Sequence, residues 1–330
     1  MTVGSIALAA IGSLATAVGA SPPTPPPIAG SVGMRLVDAP SSADGDPRAL
    51  LYIVDHLAPG DVITRRVEVS NGTAGIASIA MYSSAASIVQ GSFVGAASDT
   101  ANALSSWTTV SPGVAEVTAG GRAIATVTIS VPVDAAPGEQ YGVVWAQVRS
   151  DPDASGITQI SRVGIRLYVS VGSGAPPPAN FTIDSLTAVR SPEGVPSIVA
   201  NVHNTGGRAL DMSGTVELAG GPGGLNAGPF PVELGVTLAI GTTEPLTIPL
   251  DRTLPAGPWL VTITLHSGLV EGSAQASLTF PEVGAGPTVP VLSPTSGRGT
   301  VTTIGAVLVG LVAVSASSIR VRRRRRLGAV

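Results

Sequence analysis

The chain has 330 residues, 18 arginines with no lysine, 21 acidic residues and no cysteine, for a net charge of −3. The missing cysteine excludes a disulfide framework and thiolate metal sites, so an exported domain built from this chain rests on its apolar core alone. All 21 acidic residues and 12 of the arginines fall between residues 21 and 299, a net −9 that excludes attraction to nucleic acid or anionic lipid.

Val3 to Val18 is a short apolar run closing on Val18-Gly19-Ala20, the small-x-small pattern of a signal-peptidase site. Residues 1–20 are expected to be a signal peptide cut between Ala20 and Ser21, with a Pro-rich linker over 21–30. Its opening, Met1-Thr2-Val3, lacks the usual basic residue, and an uncleaved N-terminal anchor is the alternative.

From there to Gly299 the pattern is β. Val67 and Val69, then Ala125, Val127, Ile129 and Val131, alternate with polar residues at the period of two that half-buried strands require. No stretch keeps a helical stripe for three turns. Short strands separated by Gly, Pro, Asn and Asp turns predict an all-β fold of two tandem immunoglobulin-like antiparallel sandwiches.

The first sandwich is expected over 31–171 and the second over 179–281, divided by a linker at 172–178 that contains Gly172-Ser173-Gly174 and Pro176-Pro177-Pro178. Each half repeats one order of features. A strand ends in Asn (Asn71; Asn204), and later a Pro/Gly turn puts an aromatic residue four positions after a proline (Pro137 to Tyr141; Pro255 to Trp259). Aromatics make up only 3% of the chain, so Trp107, Trp145 and Trp259 are the expected packing centres. Residues 282–299 are too poor in apolar side chains to fold and read as a stalk.

Thr300 to Ile319 is a twenty-residue uncharged stretch, long enough at about 1.5 Å per residue to cross a hydrocarbon core of about 30 Å. Arg320, Arg322, Arg323, Arg324, Arg325 and Arg326 follow at once in the tail over 320–330, a stop-transfer signal that holds this end in the cytoplasm. A single-pass type I membrane protein with its bulk outside the membrane is the expected topology. Ala306 and Gly310, four apart, are a weak cue for helix pairing within that span.

Catalytic machinery is sparse. The histidines are His56, His203 and His266. Strand parity sets His203 opposite Ile198, Ala200 and Val202, and His266 opposite Val261, Ile263 and Leu265, so both are expected on outer faces. His56 follows Asp55, and neighbours in a strand point to opposite sides, which rules out a triad bond between them. No nucleophile elbow, phosphate loop or paired-histidine metal spacing occurs. Asp44-Gly45-Asp46 and Asp151-Pro152-Asp153 lack the ligand series of a calcium loop and read as turns. Gly220 to Gly224 reads as a hairpin tip, and the triplets at Asn71 and Asn180 read as chance matches to a glycosylation site. No enzyme activity, cofactor or metal is expected.

One path of motifs is familiar. It runs from Tyr52-Ile53-Val54-Asp55-His56-Leu57-Ala58-Pro59-Gly60 into Val67-Glu68-Val69-Ser70-Asn71, then through Ser106-Trp107-Thr108 to the Gly120-Gly121-Arg122 turn before Val127. It ends at Pro137-Gly138-Glu139-Gln140-Tyr141-Gly142-Val143-Val144. This path resembles the N-terminal peptidoglycan-binding domain of WxL-interacting proteins of Gram-positive surfaces, and the second half is similar in style to the domain that follows it there. Avoidance of lysine with heavy Ala, Gly, Val and Pro use suggests an actinobacterial version. The resemblance implies a non-enzymatic surface role with peptidoglycan or surface proteins as partners, and it identifies no binding residues. A sortase-linked or pilin-like structural protein is the alternative, weakened because Leu292-Ser293-Pro294-Thr295-Ser296-Gly297 carries an insertion where Leu-Pro-x-Thr-Gly is expected.

Overall fold

The computed structural model describes residues 32–38, 47–152, 155–232 and 235–291. The expected cleavage site at Ala20 and Ser21, the linker at 21–30 and the span at 300–319 lie outside these residues. So do the topology-setting arginines Arg320, Arg322, Arg323, Arg324, Arg325 and Arg326. No helix among the described residues is long and apolar enough to cross a membrane.

The described chain is all-β and forms two immunoglobulin-like sandwiches. In chain order the first has β1 (Val32–Leu36), α1 (Pro47–Leu51), β2 (Ile53–Leu57), β3 (Val62–Asn71), β4 (Ala77–Val89), β5 (Ser92–Gly95) and α2 (Ala103–Trp107). Then follow β6 (Thr108–Ser111), β7 (Val114–Val117), β8 (Arg122–Ser130), β9 (Gly138–Arg149) and β10 (Ile160–Val171). One sheet runs β1-β3-β8-β6 and the other β2-β10-β9-β4-β5, with β7 against the start of β4. The period of two is realised in space: Val67, Val69, Ala125, Val127, Ile129 and Val131 are no more than 4% exposed. The intervening Glu68 turns outward between Arg35 at 2.8 Å and Arg122 at 3.0 Å.

Two features depart from a purely antiparallel reading. Strand β2 pairs in parallel with β10, from Leu167↔Ile53 to Val171↔Leu57. Tight hairpins force antiparallel pairing only on neighbours in sequence, and β2 reaches the far edge after the chain has crossed from the other sheet. The single turns α1 and α2 also interrupt the β pattern. The second is held by a reciprocal cap, in which Asn102 Oδ1 accepts from the Ser105 N–H at 2.9 Å and Ser105 Oγ accepts from the Asn102 N–H at 2.7 Å.

The second sandwich contains β11 (Phe181–Arg190), β12 (Pro196–Asn204), β13 (Leu210–Asp211), β14 (Ser213–Ala219), β15 (Ala227–Val232) and β16 (Thr237–Leu238). It continues with β17 (Thr243–Pro249), β18 (Trp259–Ser267), β19 (Val270–Leu278) and β20 (Gly284–Pro290). Its sheets run β17-β12-β11-β20 and β15-β14-β18-β19, and β13 pairs with β16. The glycine-rich segment before β15 is a hairpin tip containing a short 3₁₀ turn at Pro222–Gly224. Trp259 and Phe280, each 1% exposed, sit in a core drawn from residues 181–280, separate from the core drawn from residues 36–171.

The stalk expected over 282–299 is corrected in part. Gly284–Pro290 forms β20 and pairs with β11 from Arg190↔Gly284 to Ser185↔Pro290. Low apolar content argues against independent folding, yet an edge strand draws its hydrogen bonds from its neighbour and here packs Val289 against the core.

The strand-final asparagines play matching parts. Asn71 Nδ2 donates to the carbonyls of Gly75 and Val117, both at 2.8 Å, while its Oδ1 accepts from the Thr73 N–H at 2.8 Å. Asn204 Nδ2 donates to the carbonyls of Arg208, Leu238 and Ala239, and its Oδ1 accepts from the Gly206 N–H at 2.9 Å. Each pins the loop four residues on and the end of a facing strand. The aromatic half of the repeat diverges, because Trp259 points into its core while Tyr141 lies on the outer face of its sheet.

Candidate functional site

Strands β9 and β10 have two unlike faces. Val144, Ala146, Ile165 and Leu167 enter the core, so Tyr141, Trp145 and Gln147 on β9, with Arg162, Gly164, Arg166 and Tyr168 on β10, share the outer face. The second sandwich covers one half of that face. The other half is open.

In the covered half, Asp211 of β13 is the focus, its side chain 3% exposed. It accepts from Arg48 Nε at 2.8 Å, Arg166 Nη1 at 2.8 Å, Tyr168 Oη at 2.9 Å and Thr237 Oγ1 at 2.7 Å. Burial, with Asp211 second, pushes the Tyr168 phenol up, so it stays the donor. Beside it, Glu139 Oε2 accepts from the Ala209 N–H at 2.6 Å and from Tyr141 Oη at 2.7 Å. Burial raises the Glu139 carboxyl against the pull of those two bonds. The Arg48 guanidinium also lies 4.5 Å from the Tyr168 ring centroid, and that ring meets Tyr52, Phe93 and Tyr141. A backbone tie completes the junction: the Thr237 N–H reaches the Gly91 carbonyl at 2.7 Å, at the β4–β5 turn where Gln90 and Gly91 both have positive φ.

The open half holds a groove of about 610 Å³ lined by Tyr82, Asp99, Gln147, Arg149, Ile160 and Arg162 among others. A second depression of about 370 Å³ continues past Met81, Tyr82 and Asp99 toward Ser106 and Thr109. Tyr82 Oη donates to Gln147 Oε1 at 2.8 Å, and Trp145 Nε1 to the Ala96 carbonyl at 2.9 Å. The expectation that Trp145 centres a core is corrected, since its odd position on β9 puts it on the outer face. There its ring rests on two glycines: a Cβ at either Gly164 or Gly95 would come within 2.6 Å of it. The Arg162 guanidinium lies 4.9 Å from the ring centroid. Trp259 is a core residue, and Trp107 is half-buried against the first core.

This groove ends at an unfilled strand edge. Only Leu167 to Val171 of β10 are paired with β2, and among the described residues no backbone pairs with residues 160–166 on the side away from β9. The Gly172 N–H donates to the Leu57 carbonyl at 3.0 Å, which sets the phase. Even-numbered residues, Arg162 and Gly164 among them, therefore present N–H and C=O to the empty edge, while odd-numbered ones bond to β9.

The other sequence-level candidates do not converge. His56 Nδ1 meets Ser170 Oγ at 2.8 Å while Asp55 turns to Arg65 at 2.6 Å, so the two adjacent residues do part company. Burial raises the Asp55 carboxyl and Arg65 opposes it. His203 bonds Thr243 Oγ1 at 2.9 Å, and both His203 and His266 lie on outer faces, half-buried. Asp44, Asp46 and Asp153 lie outside the described residues. Among the described residues no three His, Asp or Glu side chains are grouped to hold a metal. Sequence reasoning missed Arg48, Arg166 and Asp211 because 163 residues separate Arg48 from its partner and no local pattern marks either.

No family model and no curated protein matches the chain. Among solved structures it is similar to the Pseudomonas aeruginosa CupB2 chaperone at 12% identity, covering 69% of this chain and 98% of that one, with a TM-score of 0.35. It is also similar to the E. coli chaperone DraB at 10% identity, covering 79% of this chain and 98% of that one, with a TM-score of 0.37. A third is a protein of unknown function from Porphyromonas gingivalis, at 12% identity over 75% of this chain and 99% of that one, with a TM-score of 0.28. Similarity at this level carries no argument about activity or partner.

Proposed function

We propose that this chain is a non-enzymatic surface protein, anchored by residues 300–319 with its arginine tail inside, whose first sandwich takes an extended segment of a protein partner onto the open edge of β10. The observation that carries this reading is the half-paired strand: among the described residues β10 is bonded on both sides over 167–171 and on one side only over 160–166. Seven residues at about 3.3 Å each offer some 23 Å of ladder, enough for main-chain bonds to supply affinity while the neighbouring groove selects side chains. Long open edges invite pairing and are usually blunted. Here the edge lies next to a groove on a sheet whose other half is bonded to the second sandwich.

The resemblance to WxL-interacting proteins supports a place at the cell surface and adds peptidoglycan as a second ligand class. One observation ranks protein above glycan: the Trp145 ring already has a guanidinium where a sugar would stack. A photo-crosslinking residue at Ser161 of the full chain in intact cells tests the proposal. A discrete protein adduct that Arg162→Pro abolishes supports it, because proline removes an edge N–H and leaves the β9 ladder whole. Retention on purified sacculi that survives Arg162→Pro, with no adduct, overturns it.

A further inference from the structure

Resting on that reading, the chemistry around the open edge specifies the partner segment. A strand added beside residues 160–166 points alternate side chains to the two faces of the sheet. On the inner face it meets Val163, half-buried against the core, and buried Ile165, with half-buried Val32 and Met34 on β1, which packs against β10 from the opposite sheet. Apart from Ser161, which shares that face of β10, this floor is apolar. On the outer face it meets Arg162 and, one strand further, Arg149 at the groove.

Those two arginines differ from the other six of the first sandwich. Arg35, Arg48, Arg65, Arg66, Arg122 and Arg166 each hold a carboxylate within 3.0 Å. Among the described residues Arg149 and Arg162 have no carboxylate partner, although the outer portion of the chain carries 21 acidic residues against 12 arginines. The groove that they line beside the empty edge also holds Asp99, so its lining carries two arginines against one carboxylate and is a locally positive site on a net negative molecule.

We infer that the partner contributes an extended segment in which apolar residues alternate with acidic ones, the apolar set facing Val163 and Ile165 and the carboxylates facing Arg162 and Arg149. Charge complementarity selects the outer set and burial the inner one. A segment of the opposite charge meets two guanidinium groups and is rejected.

The test uses the full chain in detergent micelles and two labelled seven-residue peptides, Val-Glu-Val-Glu-Val-Glu-Val and Val-Lys-Val-Lys-Val-Lys-Val, read by fluorescence anisotropy. The acidic peptide is expected to bind at least about tenfold tighter at about 50 mM salt, with the margin shrinking as screening shortens at about 0.5 M. Arg162→Gln combined with Arg149→Gln removes that margin, and Arg162→Pro removes binding of the acidic peptide. Equal affinity for the two peptides, or a preference that survives the double glutamine variant, overturns the inference. The strand-addition reading then still stands or falls on the Ser161 adduct alone. Failure of either peptide to bind while deletion of residues 21–31 restores binding assigns the edge to the chain's own N-terminal segment, and that result overturns both.

Discussion

Replacing Asp211 by alanine takes away the single carboxylate shared by two arginines, a phenol and a threonine at the junction of the sandwiches. Arg166 is 29% exposed and regains water when Asp211 is lost, whereas Arg48 is 9% exposed and loses that carboxylate with little access to water. Breaking a buried pair from one side costs about 3–5 kcal/mol, and the partial exposure of Arg166 sets the expectation near the lower end, at about 3–4 kcal/mol. At about 1.4 kcal/mol per decade, the docked arrangement weakens by two to three powers of ten. Scanning calorimetry on Asp211→Ala should then resolve two transitions where the parent shows one, and small-angle scattering should show a wider spread of inter-sandwich distances. Replacing Arg48, Arg166 and Asp211 together by Met, Met and Leu should recover much of the loss, since a well-packed apolar junction escapes the desolvation of three charges. A single unchanged transition for Asp211→Ala, within about 1 kcal/mol of the parent, would show that the network contributes no docking energy and refute the reasoning.

Three further outcomes follow from the same geometry. Asn71→Ala and Asn204→Ala each strand one buried carbonyl, Val117 and Leu238 in turn, and release a more exposed one, and should lower stability by about 1–3 kcal/mol in urea titrations, with Asn→Asp no substitute because a carboxylate cannot donate. Gly164→Ala sets a methyl 2.6 Å from the Trp145 ring, so a loss of about 1–3 kcal/mol and a shift in tryptophan emission are expected. Burial raises the Glu139 carboxyl, so its contribution is present below its unfolded value and lost as pH rises through its folded value. Glu139→Gln keeps an acceptor for the Ala209 N–H and the Tyr141 hydroxyl, and should raise the melting temperature above neutrality while leaving it unchanged near about pH 4.

How far the fold can be read without coordinates differs from element to element. Alternation in β3 and β8 announces which residues are inside, because a strand has only two faces and one must be dry. The strand-final asparagines also announce themselves, since a short amide that caps a turn recurs at equivalent places in both halves. Trp145 misleads because size alone suggests burial, while its position in β9 decides the side, and only the register against Gly164 shows why that side tolerates it. The strand at Gly284–Pro290 is invisible to composition, since its backbone bonds come from β11 and not from its own side chains.

Local chemistry along the chain was enough to establish all-β sandwiches, the period that builds each core and the expectation of an apolar span followed by arginines. Which half of the β9–β10 outer face is sealed, which is left open and where β10 lacks a neighbour emerged only in three dimensions. Side-chain alternation depends on residues two apart. The Asp211 junction and the empty edge depend on how segments more than a hundred residues apart are brought together, and that information is carried by docking geometry rather than by any short run of residues.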